Sequence, residues 1–218
     1  MLKAIGKSLC IAALTTALLG VPAVSQTIES AYTDLDLDKC RHTSSSEPED
    51  YGFWRCKGFG GVEVRVSAGD QRSTVSFGAE AEDEPAAAQT FPNFNSVDKT
   101  KIEWRLEKPA RGKVVPFASI VRWNIKVDQD NKPSRGRVLV ITRLGDEVCH
   151  VGYVDALANK EPNSLARELA EKHARTFDCN VETPVIMGER GESIAGMVEQ
   201  LRTEEEEKKK GPSTLQNK

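Results

Sequence analysis

Residues able to do chemistry are few and scattered along this 218-residue chain. Its three histidines, His42, His150 and His173, are the candidate bases, and no Gly-x-Ser-x-Gly elbow accompanies any of them. His150 follows Cys149 in an alternating segment, so its ring is expected on the face opposite the cysteine. His173 falls beside the apolar stripe of a helical segment, and His42 falls in a polar loop. A hydrolase would have to pair His150 with an acidic partner, Asp155 or Asp178, and spacing alone does not bring these together. No two histidines lie within one helical turn and no His-Glu-x-x-His occurs, so neither a catalytic residue nor a metal site is assigned. The Gly58–Gly61 stretch is followed by no helix pattern and no Gly-Lys-Ser/Thr, so it is not a phosphate cradle and no cofactor is expected. Asp34-Leu35-Asp36-Leu37-Asp38 opens like a calcium loop. Lys39, however, stands where the turn glycine is needed, and Ser45 where a bidentate Glu belongs. Its alternation predicts a short edge strand with Leu35 and Leu37 inward.

The five cysteines matter more, and what they mean depends on the compartment. Residues 1–25 contain Lys3 and Lys7 and no carboxylate, then an apolar run from Leu9 to Leu19. That run is shorter than the roughly 20 apolar residues a bilayer span requires. Pro22-Ala23-Val24-Ser25 puts small residues at the −3 and −1 positions of a cut before Gln26, which completes a secretory signal peptide. Cys10 would leave with it, and no later stretch is apolar enough to span. Cys40, Cys56, Cys149 and Cys179 then read as structural disulfides in an oxidising periplasmic or secreted setting. Three connectivities are open; local pairing favours Cys40–Cys56 and Cys149–Cys179. A four-cysteine zinc site lacks its C-x-x-C spacing, and paired thiols cannot act as nucleophiles.

The elements that must position these groups are mostly strands. Val62, Val64 and Val66 alternate with Glu63 and Arg65, Ala68-Gly69-Asp70 turns the chain, and Ser73–Phe77 returns. Residues 79–88 read as an exposed acidic loop or short helix. Ile102, Trp104 and Leu106 define another strand, and Val115, Phe117, Val121, Trp123, Ile125 and Val127 share one parity in the next. Val138–Thr142 and Val148–Val154 are predicted to join through a two-residue turn at Gly145-Asp146. The period then changes: capped by Asn163 or Ser164, a helix carries Leu165, Ala166, Leu169, Ala170, Ala174 and Phe177 on one stripe. Glu168–Lys172 and Glu171–Arg175 are its expected surface pairs. The whole reads as α+β: an antiparallel β-rich single domain over residues 26–183 with one packed helix. Residues 184–218 follow as linker, short charged helix and disordered tail. In that helix Ile194, Met197, Val198 and Leu201 can dock on the body or on a partner chain.

Charge is unevenly spread. Residues 26–98 hold 14 acidic and 6 basic side chains, residues 99–143 hold 4 and 12, and residues 144–218 hold 15 and 10. The overall charge of −3 excludes a strongly basic nucleic-acid binder. Outward Lys101, Arg105, Arg122 and Lys126 either pair across strands with acids such as Glu63 or form an open basic face. An open face would be a candidate anion-binding site.

Four segments together, Asp34–Cys40, Val62–Arg72, Glu103-Trp104-Arg105 and Cys149-His150-x-x-Tyr153-Val154-Asp155-Ala156, resemble an uncharacterised family of small exported proteobacterial proteins. The resemblance runs from Tyr32 to Cys179; it implies export and the four-cysteine framework and carries no residue role. Trp54-x-Cys56-x-Gly58 before an alternating strand is similar to the opening of small β-barrel inhibitors of bacterial lysozyme. The expectation is a non-enzymatic periplasmic binding or interaction module, engaging an anionic envelope polymer or a periplasmic protein such as a cell-wall hydrolase. The alternative is an envelope hydrolase using His150.

Overall fold

Alternation in the middle of the chain builds the centre of the structure, a computed structural model that describes residues 27–44, 51–109, 112–129 and 132–210. The expected leader and its cut, residues 45–50 of the polar loop, and the tail from 211 lie outside the described residues. Among these residues, eleven strands and two α-helices follow in chain order. The first five strands are β1 (Thr27–Leu35), β2 (Arg41–Ser44), β3 (Gly52–Lys57), β4 (Glu63–Gly69) and β5 (Arg72–Phe77). The next five are β6 (Asn95–Ser96), β7 (Thr100–Lys108), β8 (Val115–Gln129), β9 (Lys132–Arg143) and β10 (His150–Asp155). Then come α1 (Pro162–His173), β11 (Val185–Ile186) and α2 (Ala195–Lys210).

Strands β2 to β5 make a four-stranded antiparallel meander. The remaining strands form one large sheet in the order β1-β7-β8-β9-β10-β11, with β6 paired to β8 where β7 has ended. Among the described residues, only the β10–β11 pair is parallel. The architecture is α+β. One face of the large sheet packs on the small one through Ile102, Trp104, Trp123, Ile125, Val64, Val66 and Phe77. Trp104 and Phe77 meet edge to face at 5.5 Å. The other face holds Phe117, Ala118, Ile120, Leu139 and Ile141 against Ala166, Leu169 and Ala170 of α1. Each buried Val, Leu, Ile or Phe side chain among them contributes roughly 1.5 to 3 kcal/mol. Because the middle of the sheet is covered on both sides, α1 must approach β10 closely, and Gly152 permits it. A Cβ there would stand 2.3 Å from the Val185 carbonyl oxygen and 2.8 Å from Leu169 Cδ1.

Several local expectations are corrected. Strand β8 does not keep one parity: Arg105 faces Ala118 and Leu106 faces Pro116, leaving Phe117 as an extra residue. This bulge turns Phe117 towards α1, whereas Val121, Trp123, Ile125 and Val127 face the small sheet. The β4–β5 turn is Asp70-Gln71, both at positive φ (48° and 57°), rather than Ala68-Gly69-Asp70. That is the two-residue hairpin geometry whose twist matches its strands. Gly145-Asp146 is no tight turn. The link runs from Leu144 to Cys149, where the Arg143 amide donates to the Cys149 carbonyl at 2.9 Å. Glu84, from the acidic segment, accepts the Val148 amide there at 2.7 Å, and Ala81 and Ala86 of that segment are buried. Leu37 sits in a 3-10 turn, Leu37–Lys39, and Val62 precedes its strand. Helix α1 starts two residues earlier than a cap at Asn163 would place it, after Glu161 with Pro162 opening it. Proline suits this position because its missing N–H would have no partner there anyway.

The structure joins Cys40 to Cys56 and Cys149 to Cys179. Among the described residues, no helix is long and apolar enough to cross a membrane. Two disulfides fit a protein that matures outside the reducing cytosol. Past the body, Ile194 just before α2 and Met197 and Leu201 within it bury into the same core as Trp123, so this apolar stripe docks on its own chain.

Candidate functional site

On the α1 face of the large sheet the helix stops short. Beyond its first turn lies a groove of about 540 Å³, within the usual range for ligand sites of roughly 300 to 1,000 Å³. Ile120 of β8 and Leu139 of β9 line its apolar floor, and Asn163 and Arg167 of α1 form one wall. The opposite wall is the end of β1 with the following 3-10 turn, bringing Tyr32, Asp34, Asp36 and Lys39. This wall is fixed from both sides. The Leu37 amide donates to Asp98 Oδ1 at 3.0 Å, and the Cys40–Cys56 bridge ties the turn to β3.

Odd-numbered residues of β7 and even-numbered residues of β1 face α1, so Tyr32 stands opposite Glu103 and Asp34 opposite Lys101. Most of the charge pairs off. The Lys101 ammonium donates to Asp34 and holds that carboxyl below its ordinary range. Lys39 lies 2.8 Å from Asp36, lowering the Asp36 carboxyl and raising its own ammonium, and Lys99 lies 3.3 Å from Asp38, which raises Lys99. Arg167 Nε donates to Glu103 Oε1 at 2.6 Å, which raises the guanidinium. A second Arg167 nitrogen donates to the Tyr32 hydroxyl at 3.1 Å. Arg122 differs. Among the described residues it is the cation lining the groove with no carboxylate partner, and its guanidinium donates only to Asn163 Oδ1, at 3.3 Å.

The four expected anion-binding residues therefore part company. Lys101 and Arg122 line the groove. Arg105 does not: only 6% exposed, it lies under α1 and donates to Ser30 Oγ and to Glu171, with Glu103 3.6 Å away. Lys126 lies outside the groove, over the Phe94 ring at 5.2 Å. Glu63 pairs with Arg55 of the neighbouring strand, not with the central block. On the helix, Glu168–Lys172 forms as expected, but Glu171 turns to Arg105 and Arg175 to Glu107 at 3.2 Å. The groove is thus of mixed charge, with one guanidinium uncompensated among the described residues. Sequence reading missed Tyr32, Asn163 and Arg167 as lining residues, since no local pattern joins positions so far apart.

His150 lies on the opposite face of the sheet. Its ring packs edge-on against Trp123 at 5.8 Å, its Nδ1 is 3.0 Å from the Tyr153 hydroxyl, and its Nε2 has no partner among the described residues. Asp155 Oδ1 accepts the Leu157 and Ala158 amides, and Asp178 Oδ1 accepts that of Asn180. His42 belongs to β2 rather than to a loop, stacked at 4.7 Å on Trp54. Burial pushes the His150 imidazole down to about 3. The unfolded chain binds that proton near 6.5, so the folded state loses stability as pH falls from about 6.5 towards 3, by up to about 1.4 kcal/mol per pH unit. A His150→Phe variant is expected to show a shallower fall of melting temperature between pH 7 and pH 4. Parallel curves for the two proteins would overturn this.

The chain matches no family model, no curated protein and no solved structure.

Proposed function

We propose that the protein is a non-enzymatic, periplasmic or secreted binding module whose groove holds an anionic segment of an envelope polymer. The observation that carries this reading is Arg122, a guanidinium beside an apolar floor with an amide and no carboxylate as its partner. A partly desolvated cation without a counter-charge favours an anion that supplies one, and guanidinium suits a carboxylate geometrically. The two disulfides and the N-terminal pattern before Gln26 support an exported address. A concave groove accommodates a chain-like ligand better than the convex surface of a protein, so the polymer is preferred over a cell-wall hydrolase as partner. The hydrolase alternative asks for His150 near substrate. Its ring is 1% exposed and on the other side of the sheet.

The test is titration of the protein with soluble anionic cell-wall glycan at several salt concentrations. Arg122→Glu is expected to weaken binding by about tenfold or more and to flatten its salt dependence, as removing a positioned charge does. Lys126→Glu, away from the groove, is expected to change little. Equal affinities and equal salt slopes for wild type and Arg122→Glu would overturn the reading.

A further inference from the structure

We infer that the groove recognises its polymer through a sugar ring, so that the ligand class is a carboxylated polysaccharide, such as a polymer of uronic acids, rather than a polyphosphate. This deepens the binding function proposed above and rests on it. Three features converge on it. Tyr32 is an aromatic ring 53% exposed at the groove wall, and its hydroxyl is held by Arg167, so the ring is fixed and offers a flat apolar surface. Such a ring suits the C–H face of a sugar, an apolar surface edged with hydroxyls. The wall also carries Asp34, 67% exposed at its side chain, whose oxygens can accept sugar hydroxyls, and Asp36, which is held by Lys39.

Those same carboxylates discriminate between anions. A phosphate chain carries a charge on every unit, whereas among the described residues the groove offers one unmatched cation, because Lys101, Lys39 and Arg167 are already held by Asp34, Asp36 and Glu103, and further phosphates would compete with those carboxylates. Like charges brought together are disfavoured, and that rejection gives specificity. One carboxylate per sugar, placed on Arg122 while the ring lies on Tyr32, matches the charge that is available and leaves the exposed Asp34 to the hydroxyls.

The experiment compares polygalacturonate with polyphosphate of equal total charge, by calorimetric titration of the full protein and of its Tyr32→Ala, Tyr32→Phe and Arg122→Glu variants. Polygalacturonate is expected to bind, and polyphosphate to bind about tenfold more weakly or less. Tyr32→Ala is expected to weaken polygalacturonate binding by about tenfold, and Tyr32→Phe by less than about threefold, because the ring and not its hydroxyl meets the sugar. If Arg122→Glu lowers affinity for both polymers while Tyr32→Ala alters neither, the anion groove stands and the sugar assignment falls. Polyphosphate binding as tightly as polygalacturonate also sinks the sugar assignment. Polymer binding that Arg122→Glu leaves unchanged, or no binding of either polymer, defeats both readings.

Discussion

Replacing Glu103 by alanine is expected to lower the unfolding free energy by about 3 to 5 kcal/mol, the usual result of removing one partner from a buried ion pair. Glu103 is 8% exposed at its side chain. It accepts from Ser30 Oγ at 2.6 Å and from Arg167 Nε at 2.6 Å, and lies 3.6 Å from Arg105. Arg105 is equally covered, at 7%. Without Glu103 it keeps Glu171, a carboxylate 38% exposed and partly screened by water, while Arg167 loses its ion-pair partner altogether. The penalty is that of a buried Arg105 left with one partly screened partner, added to the loss of the Arg167 pair. Replacing both residues, as Glu103→Met with Arg105→Met, is therefore expected to be milder than Glu103→Ala alone, since apolar groups of similar volume suit the site. Urea unfolding followed by tryptophan fluorescence decides it. A loss below about 1 kcal/mol for Glu103→Ala would show that the pair is not electrically isolated.

Removing the Cys149–Cys179 bridge, as Cys149→Ala with Cys179→Ala, is the other large effect, at about 3 to 4 kcal/mol. The bridge closes a loop whose ends are 30 positions apart and which contains all of α1. Its loss enlarges the unfolded ensemble while the folded contacts remain: Phe177 and Ala174 stay in the helix-side core, and Arg143 still donates to the Phe177 carbonyl at 2.5 Å. The double variant is thus expected to fold, with a lower melting temperature and an unchanged far-ultraviolet spectrum. A melting temperature matching that of wild type would mean that native packing, not the cross-link, restrains the helix. The Cys40–Cys56 bridge closes a shorter loop, with ends 16 positions apart, and belongs to a different function, because it anchors the groove wall that holds Asp36 and Lys39.

What could be read from residues alone follows from how locally each feature is encoded. Ile102, Trp104 and Leu106 alternate with charged residues, and the strand is there with these three facing the small sheet. Glu103 and Arg105 carry the same signal of outward charge, yet both are buried. Their partners are Ser30 from β1 and Arg167 and Glu171 from α1, segments that alternation in β7 says nothing about. The parity of β8 fails at Phe117 because a bulge adds one residue to the ladder, and only the register with β7 reveals it. Pro162 at the first helical position is a legible start signal, and Asn163 and Ser164, which also have capping side chains, fall inside the first turn it opens. The groove was the least legible feature. Its lining comes from β1, the 3-10 turn, β7, β8, β9 and α1, so its existence depends on where α1 begins along the sheet.

The register of β1 has a further consequence, for the order of assembly. Thr27 pairs with Lys108 and Leu35 with Thr100, so the earliest strand to be synthesised has no ladder partner until the central part of the chain has emerged. Meanwhile β2 to β5 join by short connections, and Cys40 can already meet Cys56. Contacts between distant segments form late because their loop closure must be met first. In vectorial release, the meander would therefore close early as a template, and β1 would add last as an outer stave along β7. Until then its amides stand bare at the growing edge, where a chaperone that captures extended segments would find them.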